Sequence, residues 1–217
     1  MSAPMSQKRE RLESILCLAP VVAVVTIDDA NVAVLLARAL LEGGVHAIEV
    51  TLRTPAALDA IRAIAGESPQ AAVGAGTVLS AADFEAAAAA GAKFAVSPGA
   101  TPALIDAADK SPLPWLPGAA TASEAMALAE RGYNLQKFFP AQAAGGVDCL
   151  RSLGGPLPQV RFCPTGGITV HNAPDYLRLP NVVCVGGSWL TPDALVRAGD
   201  WEGIAALARA ARTLRNA

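Results

Sequence analysis

The sequence has 217 residues, which is enough to bury a sizeable core in one large domain. Hydrophobic residues make up 53% of the chain and charged residues 17%, a composition typical of an apolar globular protein. The formal net charge of −2 excludes nucleic acid as a default partner, because binding to a phosphate backbone requires a basic surface. Any phosphate group recognised here must therefore be held locally, by backbone amides or single side chains.

The N-terminal region carries Lys8, Arg9 and Arg11 before an apolar run, which is loosely similar to a signal peptide. Glu13 interrupts the approach, Pro20 divides the run, and two aspartates stand where a small-residue cleavage site would lie. These features favour a short helix followed by a strand. No apolar run reaches the ~20 residues that span a bilayer, so we expect a cytoplasmic protein with no membrane partner.

Short apolar or β-branched runs then recur along the chain, 20 to 26 residues apart. Eight such runs begin at Val21, Val45, Ala71, Lys93, Leu113, Asn134, Val160 and Asn181. The segments between them are rich in Ala and Leu at helical spacing. This alternation predicts a parallel sheet, and its eight units predict a single (β/α)8 TIM barrel with an N-terminal helix over residues 1–217. The runner-up is an open doubly wound sheet, which the absence of a GxGxxG turn after the first strand disfavours.

Helix boundaries are marked by glycine, proline and hydroxyl residues. Gly43, Gly91 and Gly132 each close a helix just before a strand. Helix starts are predicted at Thr54, Ser80, Thr101 and Thr191, as caps or before early prolines.

The four cysteines contain no CxxC pair. Cys163 and Cys184 lie in apolar runs, which predicts small buried side chains in a reducing cytoplasm. The only histidines, His46 and His171, have no ligand-like spacing, so a zinc site is not expected.

One lysine, Lys137, stands in an apolar run that ends in Phe-Phe-Pro. The period of two places Lys137 on the same strand face as Leu135 and Phe139, and if that face points inward, the lysine enters the barrel mouth. Desolvation favours the neutral amine, which is a nucleophile toward a ketone. The alternatives are a lysine that reaches out to solvent, or one that pairs with a carboxylate.

A carboxylate is predicted to face the same interior. In the stretch HAIEVTLRT, Ile48 and Val50 alternate with Glu49, so Glu49 faces inward. A buried carboxylate needs a partner or a task, which leaves a structural ion pair with Lys137 or Arg53 and a general acid/base as the two interpretations. Arg53, at the end of this strand, is placed to bind an anionic substrate group.

Two glycine pairs follow the last two predicted strands, Gly166–Gly167 and Gly186–Gly187. Glycine allows backbone N–H groups to approach an oxyanion, and the loops after the last two strands are the usual phosphate site of this barrel. Thr165 and Ser188 supply hydroxyl donors beside these pairs. The stretches GAGTV and SPG open the third and fourth strand ends, and Thr77 in the first of them is a candidate hydrogen-bond donor.

Taken together, these motifs resemble a known family. IEVTLRT, VGAGTV, SPG, KFFPA, VRFCPTGGI and GGSWL occur in this order, and the chain is similar over nearly its whole length to bacterial 2-keto-3-deoxy-6-phosphogluconate (KDPG)/4-hydroxy-2-oxoglutarate (KHG) aldolases. The resemblance implies a metal-independent class I aldolase without a cofactor, assembled as a homotrimer. It departs from many relatives at Gln142, where they carry Glu, and from some at Thr26, where they carry Arg.

The resemblance also implies roles for individual residues. Lys137 would form the Schiff base and Glu49 would transfer protons. The substrate-binding residues would be Arg53, Thr77, Pro98, Phe139, Thr165, Gly166, Gly167, Gly186, Gly187 and Ser188. The substrate would be KDPG, a phosphorylated 2-keto-3-deoxy acid cleaved to pyruvate and glyceraldehyde 3-phosphate, with 4-hydroxy-2-oxoglutarate as a further substrate. The alternatives are the 6-phosphogalactonate epimer or a barrel that binds a sugar phosphate without aldolase activity.

Overall fold

The computed structural model of this protein describes residues 4–216. Within this range, short strands alternate with helices. The strands are β1 (Val21–Val25), β2 (Ala47–Thr51), β3 (Ala72–Gly76), β4 (Ala95–Val96), β5 (Trp115–Leu116), β6 (Gly118–Ala119), β7 (Leu135–Phe138), β8 (Arg161–Pro164) and β9 (Val185–Gly187). Each of the eight predicted runs contains strand structure. The run from Leu113 is divided into β5 and the start of β6 at Pro117, which has no N–H group to donate.

Helices connect successive strands. They are α1 (Met5–Leu16), α2 (Ala33–Glu42), α3 (Ala57–Glu67), α4 (Ala81–Ala89), α5 (Pro102–Lys110), α6 (Ala122–Glu130), α7 (Gly146–Gly154), α8 (Ala173–Leu177), α9 (Asp193–Ala198) and α10 (Trp201–Arg212), with 3-10 turns at Ala30–Val32 and Leu214–Asn216. Across residues 4–216, every helix is too short or too polar to cross a lipid bilayer.

Of the four predicted helix starts, Ser80 and Thr101 cap their helices, whereas Thr54 and Thr191 precede an early proline without capping. Ser80 and Thr101 accept hydrogen bonds from backbone N–H groups in the first turns of α4 and α5. Thr54 does not cap α3, because its hydroxyl donates to the carbonyl of Ile27 and the helix begins three residues later. Thr191 does not cap α9, since Pro192 occupies the cap position and no side chain bonds to the first turn.

All strand pairs are parallel, as predicted. Six strands form one sheet in the order β5-β4-β3-β2-β1-β9, and three form another in the order β6-β7-β8. Single parallel bridges, Phe162 to Val182 and Thr165 to Gly186, connect the β8 side to the β9 side. The result is an α/β fold with a strongly curled parallel sheet, in which the last strand lies beside the first.

The curled sheet separates two apolar clusters. The larger lies between strands and helices and includes Ile48 and Val50. The smaller contains inward-facing strand residues such as Ala47 and Leu135. The period-two assignment of β2 and β7 is therefore confirmed, because alternate residues of one strand belong to different clusters.

Helix α1 covers one end of the inner cluster. Leu12 and Leu16 pack with the inward-facing strand residues. The ammonium group of Lys8 donates to the carbonyls of Ala108 and Asp109, at the end of α5 and therefore at the N-terminal end of β5. The opposite end, where the strands terminate, is left for the polar residues described next.

Candidate active site

Lys137 and Glu49 meet inside the curled sheet. Lys137 lies on β7 between Gly118 of β6 and Cys163 of β8 in the register of the sheet. Its Nζ donates to Oε1 of Glu49 at 3.1 Å, and both side chains are almost completely buried. The lysine therefore does not reach out to solvent, and the cation that pairs with Glu49 is Lys137, whereas Arg53 bonds to Thr77.

Small residues on the neighbouring strand make room for this carboxylate. Glu49 on β2 is paired with Gly74 of β3. A Cβ atom at Gly76 would lie 2.3 Å from Oε1 of Glu49, a distance that no real Cβ contact tolerates. Gly76 thus leaves the space that the Glu49 side chain occupies, a role that the sequence did not indicate, whereas a Cβ at Gly74 would meet the Phe94 ring.

Aromatic and proline residues border the lysine. The Nζ of Lys137 lies 5.2 Å from the centroid of the Phe139 ring, within the range of a cation–π contact. Phe139 precedes Pro140 through a cis peptide bond. Pro98 follows β4, and its carbonyl oxygen passes so close to Gly118 of β6 that a Cβ there would lie 2.2 Å from it.

Arg53 and Thr77 form a second polar pair at the strand ends. The Nε of Arg53 donates to Oγ1 of Thr77 at 3.0 Å, which joins the loops after β2 and β3. Thr77 has a φ of 59°, a left-handed conformation that costs free energy in a residue with a branched Cβ. The hydrogen bond and this backbone conformation together orient both side chains.

The two glycine pairs are brought together by the bridge between Thr165 and Gly186. Gly166 and Gly167 have φ angles of 97° and 75°, which only glycine adopts without strain. Gly186 is required for space instead, because a Cβ atom there would lie 2.2 Å from Oγ1 of Thr165. Ser188 is exposed beside this junction.

The loop that contains Gly166 and Gly167 is fixed by hydrogen bonds to its carbonyl groups. The backbone N–H of Gln142 donates to the carbonyl of Gly166 at 3.0 Å, and Nδ2 of Asn172 donates to the carbonyl of Gly167 at 3.0 Å. Burial raises the pKa of Tyr176, whose protonated hydroxyl donates to Oε1 of Gln142 at 2.9 Å. Both carbonyls of the loop are therefore engaged within the protein.

The comparison with protein families identifies the chain. The family model described as "Aldolase: KDPG and KHG aldolase" matches residues 12–207. This protein belongs to the KDPG and KHG aldolase family.

Relatives of this aldolase family agree with that assignment. A 2-dehydro-3-deoxy-phosphogluconate aldolase of Pseudoalteromonas atlantica is 53% identical over 192 residues, which cover 88% of this chain and 89% of the relative. A KDPG aldolase structure from Legionella pneumophila, with pyruvate captured as a covalent carbinolamine intermediate, superimposes with a TM-score of 0.90 at 46% identity and covers 92% of this chain and 97% of its own. The KDPG aldolase of Zymomonas mobilis with 3-phosphoglycerate gives a TM-score of 0.88 at 46% identity, covering 94% and 95% of the two chains.

Three contacts at this aldolase site were not predicted from the sequence. Gly76 beside Glu49 and the Thr26–Thr51 hydroxyl pair depend on neighbours that are distant along the chain, whereas Asn172 bonds to the nearby Gly167 of the glycine loop. The hydroxyl pair was partly signalled, since Thr26 is a position where the chain departs from some relatives. Within residues 4–216, His, Cys, Asp and Glu side chains form no group of three or more that is arranged to hold a metal ion.

The buried cysteines are free thiols, and Cys163 and Cys184 are buried as predicted. The pKa of Cys184 is raised well above its usual value by its hydrogen bond with Cys163 and by burial. The thiol of Cys184 is therefore protonated, and both cysteines pack as small apolar side chains within the inner cluster.

Proposed function

We propose that this protein is a class I aldolase that cleaves KDPG to pyruvate and glyceraldehyde 3-phosphate. The observation that carries the proposal is the buried contact of 3.1 Å between Nζ of Lys137 and Oε1 of Glu49. A lysine beside a carboxylate in a water-poor site has both the nucleophile and the base that imine chemistry requires. The carbinolamine in the Legionella relative supports the same chemistry for this family.

The first step needs a neutral amine, because an ammonium group has no electron pair to attack a ketone. Glu49 is in hydrogen-bond contact with Lys137 and accepts its proton. The amine of Lys137 then attacks C2 of the substrate to form a carbinolamine. Glu49 gives the proton that it took from Lys137 to the leaving hydroxyl group, which departs as water and leaves a protonated imine. The iminium carbon is the electron sink, so the reaction requires no metal or organic cofactor.

The carbon–carbon bond breaks in the second step. Glu49, directly or through a water molecule, accepts the proton of the C4 hydroxyl, and the C3–C4 electrons move into the imine to form an enamine. Glyceraldehyde 3-phosphate leaves with its new carbonyl at the former C4. Glu49 returns a proton to C3 of the enamine, and water hydrolyses the imine to release pyruvate and regenerate Lys137.

The remaining site residues are proposed to bind the two ends of the substrate. Arg53 and Thr77, already joined by a hydrogen bond, would hold the pyruvyl carboxylate, while Pro98 and Phe139 would border the reacting carbons. The phosphate would bind to backbone N–H groups and hydroxyls at the glycine loops. The residues that would supply these donors are Thr165, Gly166, Gly167, Gly186, Gly187 and Ser188. The positive φ angles of Gly166 and Gly167 support this assignment, and so does the 3-phosphoglycerate in the Zymomonas relative.

The architecture is proposed to be a closed (β/α)8 barrel formed by one domain over residues 1–217. The bridges between the β8 and β9 sides support closure, as does the separation of β5 from β6 by a single proline. We further propose a cytoplasmic homotrimer, by analogy with the family to which the chain belongs.

The proposed function is tested by measuring pyruvate release from KDPG, with and without a chelator, and by borohydride trapping. Sodium borohydride added with pyruvate should reduce the imine and attach the pyruvyl group to Lys137, which peptide mass spectrometry locates. Activity should be the same with EDTA. An unmodified Lys137 after trapping, in protein that still turns over KDPG, would refute the imine mechanism. Parallel assays with the 6-phosphogalactonate epimer and with 4-hydroxy-2-oxoglutarate, which gives pyruvate and glyoxylate, define the substrate range.

A further inference from the structure

A groove of about 540 Å³ opens beside the proposed active site and takes no part in the mechanism above, apart from Ser188 at its edge. It lies between the loop after β1, helix α2 and the segment that follows β9. Its lining includes Val24, Thr26, Ile27, Leu36, Ser188 and Val196. A volume of this size is in the range of small-molecule sites, which run from about 300 to 1,000 Å³.

The groove is continuous with the reacting groups. Val24 of β1 is paired with Glu49 of β2 in the sheet register. Two residues further along both strands, Oγ1 of Thr26 lies 2.9 Å from Oγ1 of Thr51, so this hydroxyl pair stands between Glu49 and the groove. Ser188 forms the opposite border. The lining of the groove therefore includes the strand neighbour of Glu49 and one residue of the proposed phosphate site.

The lining of the groove indicates which ligands it suits. The floor is apolar and includes Ile27 and Leu36, which are buried, with Val32 and Val196 half-buried beside them. Three aspartates and one arginine, Asp28, Asp29, Asp193 and Arg197, form the rim, so negative charge predominates there. An anionic tail would meet this repulsion, whereas a neutral apolar tail would bury its surface against the floor.

Resting on the aldolase activity proposed above, we propose that this groove is an acceptor subsite for neutral aldehydes that carry an apolar tail. The phosphate of the sugar substrate is directed to the glycine loops, so the groove remains open for a different acceptor. In the synthetic direction, C3 of the pyruvate enamine on Lys137 attacks the aldehyde carbon. The new C4 oxygen receives the proton that Glu49 carries, and water hydrolyses the imine to release a 4-hydroxy-2-oxo acid.

The test compares two acceptors, 3-phenylpropanal and glyceraldehyde 3-phosphate, each condensed with pyruvate by the same purified enzyme. Val196→Trp fills the groove with an indole ring and should lower kcat/KM for 3-phenylpropanal by about tenfold or more, while the value for glyceraldehyde 3-phosphate stays within about twofold. Val32→Phe, on the opposite wall, should have the same selective effect and provides a second variant if the first does not fold. Leu35→Trp adds the same ring at an exposed position of α2 outside the groove, so it should change neither reaction.

The possible outcomes separate this subsite from the proposed function. Wild-type enzyme that condenses glyceraldehyde 3-phosphate but gives no product with 3-phenylpropanal would overturn the subsite and leave the aldolase assignment intact. Equal losses with both acceptors in Val196→Trp and Val32→Phe, or no loss with either, would also overturn it. Absence of any condensation or cleavage by the wild type would instead refute the proposed function. In the wild-type enzyme, the para-carboxylate analogue of 3-phenylpropanal should have a lower kcat/KM than 3-phenylpropanal itself, because its charge is repelled by the acidic rim.

Discussion

Two lysines are buried to the same degree at opposite ends of the curled sheet, and their partners differ. Lys8 and Lys137 are each 4% exposed. Lys8 donates to two backbone carbonyls at the end of α5, whereas Lys137 contacts a single carboxylate beneath the strand ends. Burial of a lysine therefore does not identify chemistry by itself. A carbonyl cannot accept a proton, but Glu49 can, and its carboxylate is in direct hydrogen-bond contact with Lys137.

The surroundings of the two lysines also indicate different roles. Burial lowers the pKa of Lys8, an effect that the charge of Asp109 opposes. Its ammonium group closes the helical end of α5, where carbonyls lack partners within the helix. Lys137 lies instead at the open end of the inner cluster, next to the Phe139 ring and the glycine loops. The comparison predicts that one lysine stabilises the fold and the other performs the reaction.

The largest expected effect separates the two lysines by activity. Lys137→Met should lower kcat for KDPG cleavage by roughly 10⁴-fold or more, because no other group forms the imine. Lys8→Met should leave kcat within about twofold of the wild type. Pyruvate release in a coupled assay measures both values, and circular dichroism verifies that each variant is folded. A loss of similar size in Lys8→Met protein that remains folded would contradict the distinction.

The second prediction concerns the base beside Lys137. Glu49→Gln keeps the size of the side chain but removes its ability to accept a proton, so kcat should fall by about 10²- to 10⁴-fold. The variant should still form a borohydride-trapped pyruvate adduct on prolonged incubation, because Lys137 remains. Intact-mass spectra over time give the rate of adduct formation. Wild-type turnover in Glu49→Gln would remove Glu49 from the mechanism.

A smaller effect is expected from crowding the carboxylate without removing it. A methyl group at Gly76 would lie 2.3 Å from Oε1 of Glu49, so Gly76→Ala should displace the carboxylate and lower kcat by about 10- to 100-fold. Gly66→Ala is the matched control, because a Cβ there meets no atom within 4 Å and its position in α3 favours alanine by about 0.5–1 kcal/mol. The control should keep full activity and unfold at a slightly higher temperature. Unchanged kcat in Gly76→Ala would contradict the prediction that catalysis depends on the exact position of the Glu49 carboxylate.

The smallest effect is on stability. Lys8→Met leaves the carbonyls of Ala108 and Asp109 without this donor and should lower the free energy of unfolding by about 1–3 kcal/mol. The pKa of Lys8 is lowered in the folded state, so between that pKa and the ordinary value of 10.5 the unfolded chain binds more protons and wild-type stability rises with pH. The cost of Lys8→Met should therefore increase toward pH 10.5.

Urea unfolding at neutral and alkaline pH measures this difference. The control is Lys110→Met, at an exposed lysine in α5, the helix whose carbonyls Lys8 contacts. Lys110→Met should change stability by less than about 0.5 kcal/mol at both pH values. If Lys8→Met and Lys110→Met gave the same values, the buried hydrogen bonds of Lys8 would contribute nothing measurable to the fold.

The pattern of apolar runs and glycines predicted most of the architecture. Eight runs at spacings of 20 to 26 residues indicated parallel strands joined by helices, and the inward faces of β2 and β7 followed from their alternation. These properties are local, because side-chain period and strand length depend on neighbouring residues in the chain. The two predicted helix starts without a side-chain cap are also instructive. The hydroxyl of Thr54 bonds instead to Ile27, a residue that local sequence does not place beside it.

Sequence alone therefore determined the type of each element, the strand faces and the residue types available for chemistry. Tertiary structure decided that Lys137 contacts a carboxylate inside the curled sheet, since 88 residues separate Glu49 from Lys137 along the chain. It also decided that Gly76 must lack a Cβ and that a groove extends beyond the Thr26–Thr51 pair. The physical reason is that contacts across a curled sheet depend on the relative placement of strands, which no single stretch of sequence encodes.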